Sequence, residues 1–233
     1  MSEKNHVVYV DRRYFVYERQ INDAGEVVPV RKGVIRATSN IVKNDTIATG
    51  EGGTTTFYQT FGGGIKDGMT IQEKVDWGIG VSLLAGTDIS VLGEFSVGMW
   101  LGNAMKIPYG TKLYVRLDYP LSKMEDNNII LTDTEGNDMQ NMMVAIGVSK
   151  DFYFMRMVSL SPFLGVTTLI ETEATKEVIA ATNKITSNVE VGANLSIGIL
   201  DNAQIIGRIS YNALKGSFFG DPLSFGVGLR YQF

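Results

Sequence analysis

The chain has 233 residues, enough for one barrel or two small domains. It is 44% hydrophobic with a mean hydropathy of +0.04, and no run approaches the ~20 apolar residues of a spanning helix. A membrane role is therefore confined to a barrel or to the surface. A net charge of −4 offers no basic patch of the kind nucleic acid demands, and the absence of cysteine removes disulfides, thiolate catalysis and cysteine zinc sites.

The chain opens Met1-Ser2-Glu3-Lys4-Asn5-His6, and its first apolar run, Val7 to Val10, is too short for a signal-peptide core. An exported membrane barrel needs a signal, so a barrel reading expects Met1 to be a start that replaces one. Residues 13–20 and 26–32 are predicted to pair around the turn sequence Asn22-Asp23-Ala24-Gly25. Arg12, Arg13, Glu18, Arg19, Arg31 and Lys32 make both faces of that hairpin polar. Gly50-Glu51-Gly52-Gly53 reads as a linker. Residues 1–50 are predicted to be an N-terminal extra-membrane β segment, and residues 54–233 a transmembrane β-barrel.

From residue 54 the rhythm becomes short alternating segments divided by turn signals. Trp77, Ile79, Val81 and Leu83 alternate with glycine and serine. Val91, Phe95, Val97, Met99 and Leu101 alternate with Glu94, Ser96 and Gly98, and Leu113, Val115, Leu117 and Tyr119 with Lys112, Arg116 and Asp118. The pattern returns at 142–149, 189–199 and 204–212. Many of the 26 glycines fall on the presumed lumen face, where small residues leave room for large neighbours. The segments run about the 9–11 residues of a tilted spanning strand.

Short turns are predicted at Gly86-Thr87-Asp88, Ser149-Lys150-Asp151 and Asp201-Asn202, and longer connections near 67–75, 102–110, 170–185 and 215–221. A membrane barrel alternates short turns on one side with long loops on the other. Keeping that parity back from Phe233 needs a polar strand at 126–134 and another at 54–65. The expectation is an antiparallel up-and-down barrel of ten strands, with eight, starting at 76, as the alternative.

The last segment alternates most cleanly: Leu223, Phe225, Val227, Leu229, Tyr231 and Phe233 against Ser224, Gly226, Gly228, Arg230 and Gln232. Apolar residues outward to lipid, small or polar ones inward and aromatics at the water boundary are the signature of a membrane strand. This segment resembles the C-terminal strand of the bacterial outer-membrane barrel superfamily, and Val158 to Val166 resembles a strand of small OmpA- and OmpW-like barrels. The resemblance covers about residues 54–233. It implies an outer-membrane location and an assembly signal in Tyr231 and Phe233, read by the barrel-assembly machinery. It brings no ligand or catalytic residue.

The predicted lumen face carries Glu94, Lys112, Arg116, Asp118, Glu190, Arg208 and Arg230. Buried ions are costly without partners, so these are expected to pair and to plug a narrow barrel. The sole histidine, His6, lies outside the barrel, so histidine bases, Ser-His triads and histidine metal sites lack parts. Outer-membrane proteases and lipid-modifying barrels generally use a histidine on or near a strand; no enzyme activity, cofactor or metal is expected here. The acidic run Asp133 to Asp138 lacks EF-hand spacing and reads as a solvated turn. Phe218 and Phe219 are expected in the outer aromatic girdle, and Phe152 to Phe154 in the periplasmic one.

Three functions follow. The first is a non-catalytic structural or binding barrel, with outer-membrane lipid and a membrane-complex partner around it. The second is a narrow, porin-like channel for small solutes. The third is a soluble lipocalin-like carrier, which requires the aromatic-bounded face to point inward.

Overall fold

A computed structural model of the protein describes residues 8–41, 54–120, 125–126, 129–130, 142–170, 186–213 and 223–233. Four strands come first: β1 (Arg13–Ile21), β2 (Val27–Ile41), β3 (Thr55–Gly62) and β4 (Thr70–Glu73). They form one antiparallel sheet in the order β3-β2-β1-β4. The β1–β2 hairpin turns where the sequence places it. Asn22 Oδ1 accepts from the amides of Ala24 and Glu26, and Gly25 takes the positive φ of 82°.

The rest of the chain holds β5 (Ile79–Gly86), β6 (Asp88–Ser96), α1 (Val97–Met105), β7 (Thr111–Pro120), β8 (Glu125–Asp126) and β9 (Ile129–Ile130). It continues with β10 (Met143–Lys150), β11 (Phe152–Met155), β12 (Val158–Leu169), β13 (Ser187–Gly198), β14 (Ala203–Asn212) and β15 (Leu223–Gln232). The order β10-β7-β6-β5-β15-β14-β13-β12-β11, with β10 also paired to β12, is a closed barrel. Strands β10 and β11 pair in succession with the same neighbour, Ser149 opposite Phe163 and Phe152 opposite Leu160, so they act as one interrupted strand. The result is an all-β, antiparallel, eight-strand barrel.

The barrel is thus the eight-strand alternative, not the ten-strand one. Strand β3, needed as a barrel strand for ten, pairs with β2 in the smaller sheet. In the region of 126–134, residues 125–126 and 129–130 pair with each other in a separate two-stranded sheet, and among the described residues no barrel strand lies there. The connection near 67–75 contains β4, which pairs with β1.

Two turn assignments also change. Ser149-Lys150-Asp151 is no reversal: Asp151 points inward and is held by Lys112 and Ser161, and the chain turns at Arg156–Met157, where Met157 has φ 64°. Gly86-Thr87-Asp88 is a turn, but Gly86 pairs with Gly226 near the start of β15, at the end opposite Phe233. Connection 97–110, part of which was expected among the long outer loops, lies instead at the Phe233 end and contains α1. The other end carries the three long connections around 121–142, 171–186 and 213–222.

One circuit of the ladder from Gln232 arrives at Asn212, beside the Tyr211–Leu223 pair, so closure steps about ten residues along β15. Such a stagger tilts the strands and leaves an interior that eight strands' side chains just fill. Glycines make that filling possible. A Cβ on Gly147 or Gly165 would run into Tyr114, and one on Gly192 into Phe163.

Candidate functional site

Alternation along each strand gives the barrel opposite inner and outer surfaces. On β15, Phe225, Val227, Leu229 and Tyr231 are exposed while Arg230 is buried, and on β14 Ile205 and Ile209 are exposed while Gln204 and Arg208 are buried. The same holds for Leu113, Val115 and Leu117 against Lys112, Arg116 and Asp118. The arrangement inverts that of a water-soluble barrel.

The lumen is layered. Toward the long-loop end, the Glu190 carboxylate sits between two guanidiniums, Arg116 at 2.6 Å and Arg208 at 3.2 Å, and Arg116 also pairs with Asp118 at 2.7 Å. Glu190 is fully buried. Below it lies an apolar layer of Leu84, Leu92, Tyr114, Ala145, Phe163 and Ile206. Arg208 joins the two layers: its guanidinium carbon lies 3.7 Å from the Phe163 ring centre, and the Phe163 ring meets Tyr114 edge-on. Toward the Phe233 end, Arg230 pairs with Glu94 at 2.7 Å and Lys112 with Asp151 at 2.9 Å.

All seven predicted lumen ions are therefore buried, each beside an opposite charge. They do not form one network, because the apolar layer separates the upper group from the lower. Such pairs offset the cost of taking charges from water, and they close the bore rather than line it.

The structure adds residues that strand alternation did not single out. The small sheet sits on the Phe233 end of the barrel. Arg36 of β2 reaches the mouth, donating to Tyr153 Oη at 3.0 Å and Ser96 Oγ at 3.1 Å, and lies 3.2 Å from Asp11 and 3.5 Å from Asp151. Asp11 accepts from the Gly110 amide at 2.6 Å. Arg13 of β1 pairs with Asp76, and donates to Gln232 Oε1 at 3.1 Å and the Phe233 carbonyl at 3.2 Å. Lys74 donates to Asn202. Tyr58 of β3 stacks on Tyr153 with ring centres 5.3 Å apart.

One signal for these contacts was present in the sequence. Ser149, Asp151 and Tyr153 keep the inward parity of β10 straight through the apparent turn.

The charges of the cap are tuned by burial and by each other. Burial opposes ionisation of Asp76, but the hydrogen bond and charge of Arg13 outweigh it and hold the carboxyl below its usual range. At Asp11 burial wins over Arg36 and raises the carboxyl. Burial, helped by the nearby charge of Arg13, brings Lys74 down to about 8.

Where cap and lumen meet, a cavity of about 10 Å³ is lined by Arg36, Asp76, Glu94 and Lys112 among others. That is room for about one water and not for a solute. Among the described residues no three His, Cys, Asp or Glu side chains gather as a metal site. His6, the linker 50–53, the Asp133–Asp138 run, loop residues 171–185 and Phe218–Phe219 lie outside the described residues. Phe152 and Phe154 are exposed at the Phe233 end, beside which Tyr231 and Phe233 are exposed too, with ring centres 4.9 Å apart.

Strand number, antiparallel closure and inverted polarity define the class: a small, closed, eight-strand antiparallel β-barrel with an apolar exterior and a charged interior, and a β-sheet cap on one end. No protein-family model and no curated protein matches the sequence. Two solved structures are similar. Ail, the attachment invasion locus protein of Yersinia pestis, is 12% identical, with 67% of this chain and 94% of that one covered and a TM-score of 0.34. The beta domain of the Bordetella autotransporter BrkA is 14% identical, with 95% and 97% covered and a TM-score of 0.29.

Proposed function

We propose that this chain is an integral barrel of the bacterial outer membrane that acts as a non-catalytic structural or binding component. The observation that carries this reading is the inverted polarity. Ions fill the interior, and a band of Ile, Leu, Val and aromatic side chains faces outward over most of the strands. In water such an exterior would be an aggregation surface; in hydrocarbon it is the stable arrangement. A soluble carrier would need the opposite arrangement.

The end with three long connections faces outside and the capped end faces the periplasm, by the usual asymmetry of such barrels. The cap, built by β1 to β4, is then the extra-membrane part and presents a surface to a periplasmic or membrane-complex partner. The extra-membrane part of this reading thus extends past residue 50. On this reading Tyr231 and Phe233, both exposed at that end, serve as the signal that the barrel-assembly machinery reads. The sole histidine, His6, precedes the barrel, which favours a non-catalytic role.

The deciding experiment compares unboiled and boiled protein on a gel and follows it as detergent is removed. Heat-modifiable migration with precipitation from plain buffer is expected. An unshifted, soluble monomer would overturn the reading.

A further inference from the structure

The lower edge of the apolar band is uneven. The Phe233 amide donates to the Ile79 carbonyl, Ile79 pairs with Phe95, and Phe95 pairs with Leu113. In a barrel whose ladder climbs in this direction, each step to the next strand rises by about 3 Å, for strands 4.7–4.9 Å apart and tilted near 40°. The lowest outward apolar residues of β6 and β7, Phe95 and Leu113, therefore sit about 6 and 9 Å above the level of Phe233. On the other flank, Phe152 and Phe154 continue the interrupted strand downward. Left to its strands, the barrel has a notch in its apolar belt below β6 and β7.

Helix α1 follows β6 directly and occupies that notch. Its residues divide by face. Gly98, Met99 and Gly102 are buried, with Gly98 against Asp11 and Pro108 and Gly102 against Val10. Trp100, Leu101, Ala104 and Met105 are exposed, three of them large: Trp100 at 59%, Leu101 at 42% and Met105 at 66%.

The Trp100 ring stacks on Phe95 with centres 5.9 Å apart, so the helix face is continuous with the band. The Trp100 indole N–H donates to the Trp77 carbonyl at 3.1 Å, which leaves the ring without an unpaired donor in an apolar medium. Lys106, exposed at the left-handed C-cap, is suited to reach headgroup phosphates. At nine residues the helix is too short to cross a bilayer.

We propose that α1 is an interfacial helix, its Trp100–Leu101–Ala104–Met105 face embedded in the periplasmic-side leaflet, where it completes the lipid-facing belt and lays the cap against the membrane. The occupant is the phospholipid leaflet itself. This rests on the membrane-barrel reading and adds to it a second, non-strand membrane contact that fixes how deep the barrel sits.

The chain has two tryptophans, Trp77 and Trp100, which allows a direct test. The full-length Trp77→Phe variant, which keeps the backbone acceptor, is reconstituted into phosphatidylcholine vesicles carrying bromine at shallow or deep acyl positions. Trp100 emission is expected to be blue-shifted, to lose most of its intensity to shallow bromines and less to deep ones, and to resist aqueous iodide. Iodide quenching like that of free indole, or shielding from iodide without quenching by either brominated lipid, overturns the proposal; the latter would point to a protein partner on this face. Ile209→Trp, in a chain with both native tryptophans changed to Phe, is the control. Quenching of the residue-209 probe by deep bromines while Trp100 is untouched refutes only the helix; no quenching at either refutes the membrane barrel as well. If the Trp77→Phe variant does not assemble, Trp77→Tyr with excitation at the red edge of indole absorption isolates Trp100 and gives the same readout.

Discussion

Arg208 and Ile209 are neighbours in sequence with opposite surroundings. Ile209 is 52% exposed on the outer face of β14, while Arg208 is buried between Glu190, Asn194 and Phe163. Ile209→Arg is expected to cost about 2–4 kcal/mol near the bilayer midplane. Glu190→Gln removes the charge shared by Arg116 and Arg208 and is expected to cost about 3–5 kcal/mol, as when one partner of a buried pair is lost. Urea unfolding in vesicles measures both. Equal tolerance of Arg at 209 and Ile at 208 would contradict the assignment of faces. The glycines give a second residue-scale prediction. Gly165→Ala forces a methyl into the Tyr114 hydroxyl. Tyr114→Phe should relieve part of the damage, with a coupling of about 0.5–3 kcal/mol in a double-mutant cycle. Independent, additive effects of the two changes would mean the methyl is accommodated elsewhere.

At the scale of elements, the cap is held to the barrel by charges that respond to pH. The folded value of Lys74, about 8, lies below its ordinary 10.5. Below both values the lysine is charged in either state and its burial penalty is present in full. Between them the undocked or unfolded chain binds more protons, so docking strengthens as pH rises from about 8 towards 10.5. Amide exchange of the β1–β2 hairpin should slow over that window once intrinsic rates are divided out. Lys74→Met should remove the trend; persistence of the trend in that variant would assign it to another group. The hairpin itself was legible in the sequence, because Asn22 and Gly25 supply the hydrogen bonds and positive φ that its turn requires. The places of β3 and β4 were not. β3 pairs with β2, the strand before it, and β4 returns to the distant β1; alternation says which face a residue occupies but not which strand it pairs with.

At the scale of the whole molecule, the lumen is closed twice. The layer of Leu84, Leu92, Tyr114, Phe163 and Ile206 blocks it at mid-height, and Arg36 and Asp151 sit across the lower mouth. Reconstituted in planar bilayers, the protein is expected to show no steady conductance; a reproducible open level would restore the narrow-channel reading. The seven lumen ions were legible because a charged residue on the polar face of a closed barrel has nowhere else to point. Their separation into two groups was not, because it depends on which residues lie level after closure, and the stagger of the ladder decides that.

The sequence by itself determined the barrel, its polarity and the identity of seven of its buried ions, Glu94, Lys112, Arg116, Asp118, Glu190, Arg208 and Arg230. A period of two is a local property, and it sorts side chains between lipid and lumen wherever the strands close. Only the tertiary structure decided the number of strands, the end at which each connection lies and the docking of a four-stranded cap under the mouth. These depend on pairings between distant segments, and on a few inward side chains such as Asp151 and Arg36 whose partners come from elsewhere in the chain. A turn-forming triplet such as Ser149-Lys150-Asp151 has the composition to reverse the chain, but the ion pair of Asp151 with Lys112 holds it in an inward-facing strand position instead.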